Sequence, residues 1–426
     1  MENKILKTIW WRIKSIFAMC YYGNPSKKLK IIGVTGTNGK TTTATLLYQV
    51  ATLLGYRAGL VSTVENIVAG EVRGATHTTP DSITLTKLFR EMVNKECEYV
   101  FMEVSSHAID QNRVWGINFT GAIFTNLTHD HLDYHKNLEN YFLAKKKLFD
   151  RLKTCAFALS NADDTHGRVM LGGTKAKRFF YGFPARNAFS TADAGGDGKA
   201  GEIDFHGEIL KMNFLGLELE IISPSGSTAV KSKLLGKFNA YNLLAVSSAS
   251  ALLGFDMTKV NKILENIEPP RGRFEHFTAP SGALVIVDYA HTPDALEKII
   301  LAVKEIKPKE GRIISILGCG GDRDPFKRPI MGKLGADLSD IAIFTSDNPR
   351  SEDPNKIIEA MKADLTPQLL AKIKIIPDRR EAIKESIKLA QKGDIVICAG
   401  KGHEDYQEIK GVRRHFYDRE EFEKLF

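Results

Sequence analysis

Residues 34–43 read Val34-Thr35-Gly36-Thr37-Asn38-Gly39-Lys40-Thr41-Thr42-Thr43, after the apolar stretch Ile31-Ile32-Gly33-Val34 and before the apolar run 44–51. Strand, glycine-rich turn and helix in that order leave few folds open. They are what a phosphate cradle needs, because N–H groups of the turn and of the helix N-terminus then point at one anion. Lys40 can reach the outer phosphates, and the Thr41 hydroxyl can hold Mg²⁺. Val34 stands where the first glycine of the general G-x-x-x-x-G-K pattern falls, so the loop is a variant. A plain glycine turn leaves Lys40 and the three threonines after it unexplained.

From position 31 onward, apolar runs alternate with helical patterns. Tyr99–Met102, Gly121–Phe124, Leu284–Val287, Ile313–Leu317, Ile341–Phe344 and Ile395–Cys398 are apolar almost throughout. That suits strands buried on both faces of a parallel sheet. Such sheets bind ligands beyond the carboxyl ends of their strands, and the polar clusters Glu103–His107 and Thr125–His129 each follow a strand. The Gly- and Ser-rich stretch 192–230 is expected to form antiparallel strands and turns, and Pro269–Arg273 a hinge. The expected fold is α/β. Residues 1–30 form an amphipathic basic helix and linker. Residues 31–270 form a P-loop ATPase central domain, a parallel sheet with a small antiparallel insertion. Residues 271–426 form a Rossmann-like C-terminal domain.

The net charge of +8 is spread along 426 residues. It suits anionic ligands such as nucleotides and is not a nucleic-acid footprint. Cys20, Cys97, Cys155, Cys319 and Cys398 show no paired or metal-ligand spacing, which fits a reduced cytoplasmic protein. Near the N-terminus, Ile5, Leu6, Ile9, Trp10, Ile13, Ile16 and Phe17 fall on one helical stripe, with Lys4, Lys7, Arg12 and Lys14 off it. The segment is too short and too charged to span a bilayer. Its stripe is expected to dock on the following domain, with peripheral membrane contact through residues 4–19 as the other reading.

Glu103 and His131 both follow strands and could reach the same cation as Thr41. Mg²⁺ prefers hard oxygen ligands and keeps several waters, so one carboxylate and one hydroxyl suffice. Asp130, Asp133 and His135 crowd the same loop and compete for these roles.

The loop Thr35–Thr43 resembles that of the Mur ligase family. So do Glu103–His107, Asn126–His135, Tyr141–Lys145, Gly236–Asn242, Gly272–Glu275, Asp288–Pro293 and Gly400–Asp405. The resemblance runs from about Tyr22 to the C-terminus. It implies an ATP-dependent amide ligase, in which a substrate carboxylate is phosphorylated and an amine displaces phosphate from the acyl phosphate. It puts Thr37, Asn38, Gly39, Lys40, Thr41, Thr42 and Arg273 on the ATP phosphates. Asn239, Asn242, Asp288 and His291 match the adenosine side. Thr41, Glu103 and His131 correspond to the Mg²⁺ shell. Lys145 matches a lysine that is carbamylated in these ligases. Lys40, Lys145, Arg273 and His131 are the catalytic candidates.

Thr78, Thr79, Ser105 and Arg113 match positions that bind a muramoyl-dipeptide. Asp347-Asn348-Pro349-Arg350, with Arg323, Gly400 and Glu404, resembles the set that selects meso-diaminopimelate over lysine in cell-wall peptide synthesis. A lysine substrate would leave those arginines unpaired. The family's usual uridine-diphosphate-binding domain has no counterpart before Tyr21–Ser26 in these residues. The expectations are therefore a UDP-linked dipeptide acceptor first, and a lipid-linked muropeptide or a partner-supplied site second. Two further alternatives are a non-catalytic binding subunit and a folate-polyglutamate or cyanophycin-type ligase. Retention of Lys40, Thr41, Glu103, His131, Lys145 and Arg273 together speaks against the former. Thr78–Pro80 and Asp347–Arg350 speak against the latter.

Overall fold

The computed structural model describes residues 2–75, 77–128, 130–183 and 203–426, without the side chains of residues 2–8, Leu132 and Asp133. His129, residues 192–202, and the side chains of Lys4, Ile5, Leu6, Lys7 and Asp133 therefore lie outside the described residues. The chain divides into two compact units. The first is Met1–Lys211, Leu217–Lys233 and Phe238–Ile267; the second is Met212–Gly216, Leu234–Lys237 and Glu268–Phe426.

The first unit is built on eleven strands: β1 (Lys30–Thr35), β2 (Ala58–Val61), β3 (Glu65–Val68), β4 (Glu71–Gly74), β5 (Tyr99–Glu103), β6 (Phe119–Phe124), β7 (Phe157–Asn161), β8 (Lys177–Gly182), β9 (Phe205–Asn213), β10 (Gly216–Ser223) and β11 (Gly226–Ser232). Their order is β11-β10-β9-β8-β7-β6-β1-β5-β2-β3-β4. The centre is parallel, from β2 through β5, β1, β6, β7 and β8 to β9. The β10–β11 hairpin is antiparallel and extends this same sheet. Because β1 lies between β5 and β6, the loops after these three strands open side by side. That placement follows from the sheet order and puts residues 36–40, 104–107, 125–128, 130 and 131 at one edge.

The second unit has a sheet of six strands: β12 (Glu275–Thr278), β13 (Leu284–Asp288), β14 (Ile313–Leu317), β15 (Ile341–Phe344), β16 (Ile373–Ile375) and β17 (Ile395–Ala399), in the order β12-β13-β17-β14-β15-β16. A small hairpin, β18 (Tyr406–Ile409) with β19 (Val412–His415), follows. Successive side chains of a strand point to opposite faces, and here both faces are cores. Leu284, Ile286, Ile395 and Ile397 belong to one hydrophobic cluster, and Val285, Val287, Val396 and Cys398 to another. Double burial is why these strands are apolar at every position. Each buried aliphatic side chain contributes about 1.5–3 kcal/mol.

The N-terminal helix α1 (Glu2–Tyr21) docks through the face opposite to the one its pattern selects. Ser15 is 2% exposed and Ala18 1%, whereas Ile9, Trp10, Ile13, Ile16 and Phe17 are 44–61% exposed. This corrects the expectation that the apolar stripe packs inward. Ser15 Oγ donates to the carbonyl oxygen of Asn112 at 2.8 Å. The Met19 side chain lies so close to Gly116 that a Cβ there would come within 2.5 Å of Met19 Cε. A hydroxyl partner and close backbone approach decide the face in place of side-chain hydrophobicity.

Candidate functional site

The turn after β1 is made of backbone held by side chains. Gly36 has φ +154° and Gly39 φ +82°. A Cβ on Gly36 would lie 1.9 Å from Thr125 Oγ1, and one on Gly39 2.7 Å from Asn242 Oδ1. Only glycine lets these neighbours approach. Asn126 Oδ1 accepts from Asn38 N at 2.9 Å, and Thr125 Oγ1 donates to Asn38 O at 2.6 Å. Thr37 Oγ1 accepts from Thr128 N at 2.9 Å and lies 3.3 Å from the Tyr141 hydroxyl. Lys40 opens α2 (Lys40–Leu53), and its Nζ folds back on the carbonyls of Gly36 and Thr37 at 3.0 and 2.7 Å. Thr41 and Thr42 are buried in the first turn. Asn239 and Asn242, from the helix Lys237–Leu252, join each other at 3.0 Å. Asn242 also accepts from Thr43 Oγ1 at 3.4 Å.

Glu103 ends β5 and is 1% exposed. Its carboxylate accepts from Thr63 N at 2.6 Å and Thr63 Oγ1 at 3.2 Å, and no cationic side chain pairs with it among the described residues. A buried carboxylate without a counter-ion, at the same sheet edge as the Thr41 hydroxyl, is a donor set that fits Mg²⁺. His131 has φ +54°, and its ring lies 4.9 Å from His107 and 6.0 Å from Tyr141. His135 Nε2 is 3.0 Å from Ser106 Oγ. Burial, then the neighbouring His107, pulls the His135 pKa down to about 4. This favours the neutral imidazole, hydrogen-bonded to Ser106. Among the described residues no three carboxylate, thiolate or imidazole groups converge as a metal cage.

Lys145, on the helix Leu138–Asp150, is 1% exposed. Its Nζ donates to Gly36 O at 2.7 Å and lies 4.4 Å from the centre of the Tyr141 ring. Burial first, and Lys40 second, hold its pKa well below the ordinary lysine value. The neighbouring Lys146 and Lys147 instead pair with Asp150 and Asp110.

The acceptor candidates gather on the other side of Glu103. Thr79 Oγ1 donates to Glu103 O at 2.9 Å and accepts from Ser105 N at 3.1 Å. Ser105 caps the helix Ser106–Asp110. Thr78 is joined through Thr63 Oγ1 at 3.0 Å. The Arg113 guanidinium is held by Thr79 O at 2.8 Å and by Gln111 Oε1 at 2.7 and 3.0 Å. Two of its five N–H donors remain for a carboxylate. Burial lowers its pKa. Gln111, Arg113, His77, Asp81, Ser82, Trp11 and Lys14 line a cavity of about 160 Å³. Gln111, Trp11 and Lys14 were missed by sequence reasoning. Gln111 stood two residues before Arg113 as a signal, whereas nothing in the sequence ties α1 to this cavity.

In the second unit, the candidates again sit at carboxyl strand ends. Asp288 ends β13, and its oxygens accept from Phe274 N at 2.7 Å and Ala290 N at 2.8 Å. Burial raises its pKa against the opposing Arg273. The Arg273 guanidinium lies 4.8 Å from the centre of the Tyr289 ring, and its Nε is buried without a hydrogen-bond partner. The rings of His291 and His403 lie 4.5 and 4.9 Å from that of Tyr289. His403 is pulled down to about 4 by burial, then by Arg273 and Arg271.

Asp347, Asn348, Pro349 and Arg350 follow β15, and Gly400 to Glu404 follow β17. Asp347 is 8% exposed and Asn348 1%. Asn348 Nδ2 donates to Glu404 Oε2 at 2.7 Å, which joins the two loops. Gly400 has φ +113°, and a Cβ there would lie 2.6 Å from Asp347 Oδ2. Arg350, at φ +51°, donates from Nη1 to Gly321 O at 2.7 Å. Its N–H donates to Glu408 O at 3.0 Å in the β18 hairpin. Arg323 is exposed.

Residues 34–250 match the Mur ligase middle domain, and residues 272–402 the Mur ligase glutamate ligase domain. The UDP-N-acetylmuramoyl-L-alanyl-D-glutamate–2,6-diaminopimelate ligase of Parabacteroides distasonis is 50% identical over 406 residues, which cover 95% of this chain and 79% of that protein. A solved structure of a ligase of the same description is 35% identical, with a TM-score of 0.67 over 93% of this chain and 78% of that one. The folylpolyglutamate synthase of Thermotoga maritima shares the fold, with a TM-score of 0.68 over 91% of this chain and 89% of that one, at 15% identity.

Proposed function

The chain belongs to the Mur ligase family, and on that premise we propose that it is an ATP-dependent amide ligase joining meso-diaminopimelate to the D-glutamyl carboxylate of a UDP-N-acetylmuramoyl dipeptide. The observation that carries the choice of amino acid is the junction of the loops that follow β15 and β17, two strands of one sheet with β14 between them. Asn348 ties Asp347–Arg350 to Glu404 at 2.7 Å. Acidic and basic groups are thereby offered together, as a substrate with both an ammonium and a carboxylate at its far end requires. Arg350 and Arg323 take the carboxylate; Asp347 and Glu404 take the ammonium.

The acceptor carboxylate attacks the γ-phosphorus of ATP, ADP leaves, and an acyl phosphate remains. The amine then adds to the acyl carbon, loses a proton, and phosphate departs. Thr37–Thr42 cradle the phosphates, with Lys40 released from its own loop carbonyls to meet them. Arg273 serves the same phosphates, while Asn239, Asn242, Asp288 and His291 serve the adenosine end. Thr78, Thr79, Ser105 and Arg113 hold the dipeptide. Thr41 and Glu103, together with His131, would hold Mg²⁺, which would supply positive charge against the repulsion between two reacting anions. The domains assigned to these tasks are 31–270 and 271–426.

Lys145 is proposed to react with CO₂: its neutral amine adds to the carbon, loses one proton, and becomes an N-linked carboxylate. Its support is burial without a carboxylate partner among the described residues. A bicarbonate-dependent ¹³C carbamate signal, lost in Lys145→Met, tests this. The enzyme is tested by phosphate release with ATP, Mg²⁺, meso-diaminopimelate and the UDP-linked dipeptide. No turnover on that acceptor or on a lipid-linked one would sink the ligase reading.

One observation favours a second reading, an acceptor held at a membrane. The stripe Ile9, Trp10, Ile13, Ile16 and Phe17 faces outward and is flanked by Arg12 and Lys14. Such a face suits an anionic lipid surface. Among the described residues no helix is long and apolar enough to cross a membrane. Turnover confined to a lipid-linked acceptor would select this reading.

A further inference from the structure

The amino-acid loops close over a lysine to which neither the motif nor the mechanism gives a task. Lys401 is 0% exposed. Its Nζ lies 3.3 Å from Glu404 Oε2 and 3.4 Å from Asn348 Oδ1, and it also donates to the carbonyl of Tyr406. An ammonium has three N–H donors and no acceptor, and here three oxygens surround it, one from the loop after β15 and two from the stretch that follows Lys401 itself. Glycines on either side make the approach possible: Gly400 has φ +113° and Gly402 φ +51°. A Cβ on Gly402 would lie 2.7 Å from Gly272 O.

We propose that Lys401 is a positioning residue for the amino-acid site: it holds the Glu404 carboxylate and the Asn348 side chain in the orientation that meets the far ammonium of the diamino acid. This deepens the function proposed above and rests on it. Asn348 shows why one amine can set both loops. Its Oδ1 takes Lys401 Nζ and the Glu408 N–H at 2.9 Å, which orients its Nδ2 toward Glu404 Oε2. The same Glu404 oxygen thus receives two donors, and the other is left for substrate.

Charge matters as well as shape. Glu404 faces Lys401 on its own loop, Asp347 and Asn348 on the loop after β15, Tyr289 after β13, and Tyr406 and Arg413 on the hairpin. Burial and Asp347 lift the Glu404 carboxyl, and Lys401 opposes them. Without Lys401 the carboxylate would bind protons more readily and hold an ammonium less well as pH falls.

The test begins with wild-type turnover on diaminopimelate; its absence would sink the functional reading before the role of Lys401 is touched. Steady-state constants are then compared for Lys401→Met, Lys401→Arg, Glu404→Gln and the double variant Lys401→Met with Glu404→Gln. The proposal expects Lys401→Met to raise KM for diaminopimelate about tenfold or more. KM for ATP and for the acceptor, and kcat at saturation, should stay within about twofold. That KM should fall as pH rises, Lys401→Arg should restore most of it, and Lys401→Met should add little to Glu404→Gln. Equal rises in all three KM values, an unchanged KM for diaminopimelate, or full additivity with Glu404→Gln would overturn it. If Lys401→Met does not fold, Lys401→Gln, which keeps a polar side chain but loses the charge, takes its place in the same double comparison with Glu404→Gln.

Discussion

Among the described residues two lysines are sealed inside the protein, one in each unit, in opposite surroundings. Lys145 is 1% exposed and donates to one backbone oxygen beneath an aromatic ring, and burial and Lys40 drive its pKa down. Lys401 is 0% exposed and has a carboxylate 3.3 Å away, with two more oxygens around it. Burial alone does not tell what such a residue does; the counter-ion does. A buried amine without one is costly to keep as a cation and is left available for chemistry. One with a carboxylate becomes part of the scaffold that aims that carboxylate.

The sharpest way to break the comparison is to make both lysines methionine. Lys145→Met should cut turnover about 10²–10³-fold, the scale of losing one group that stabilises developing charge. Its stability should change by only about 1 kcal/mol, since one hydrogen bond is lost. Lys401→Met should do the reverse, costing roughly 1–3 kcal/mol because three acceptors lose one donor each and the Glu404 carboxylate loses its counter-ion, with kcat nearly intact. Denaturant titration beside phosphate-release assays separates the two. Similar profiles for both variants would mean that the counter-ion does not sort their roles.

Arg350→Ala comes next in size. It removes a guanidinium held by Gly321 O at 2.7 Å without removing Asn348 or Glu404. Use of diaminopimelate should fall about 10²-fold in kcat/KM, and the preference over lysine should shrink with it. If the preference survives, the far carboxylate is read elsewhere. A smaller effect concerns pH. The Glu404 carboxyl is lifted above its ordinary value by burial. It therefore binds a proton earlier as pH falls, and KM for diaminopimelate should rise on the acid side by at most about tenfold per pH unit. A KM flat with pH would remove Glu404 from the ammonium.

The sheet and both site edges were legible because their physics is local. Val285 and Val287 face one core while Leu284 and Ile286 face the other, so apolarity at every position announced a doubly covered parallel strand. The glycines were legible for a similar reason, since Gly36 has no room for a Cβ beside Thr125. Lys401 was not, because a lysine between glycines reads as a solvated loop until Asn348, Glu404 and Tyr406 are seen to converge on it. The orientation of α1 was also hidden. It rests on the Asn112 carbonyl and on Gly116, each of which lies 97 residues along the chain from its partner in α1. The pattern of the helix favoured the other face.

That helix supplies the smallest predicted effect, and a control for the rest. Trp10 is 59% exposed and Phe17 61%. Neither contributes to the buried face set by Ser15 and Ala18, so Trp10→Glu and Phe17→Glu should shift stability by no more than about 0.5 kcal/mol. Turnover on a soluble UDP-linked acceptor should be unchanged, since the cavity beside Arg113 is lined by Trp11 and Lys14 from the same helix and by neither of the altered residues. Co-sedimentation with anionic vesicles should fall by roughly tenfold if the stripe lies on lipid, because two aromatic contacts are lost and two negative charges gained. A large loss of stability would instead mean that the stripe is covered in solution. The face of α1 exposed in this structure would then be packed against something of its own chemistry.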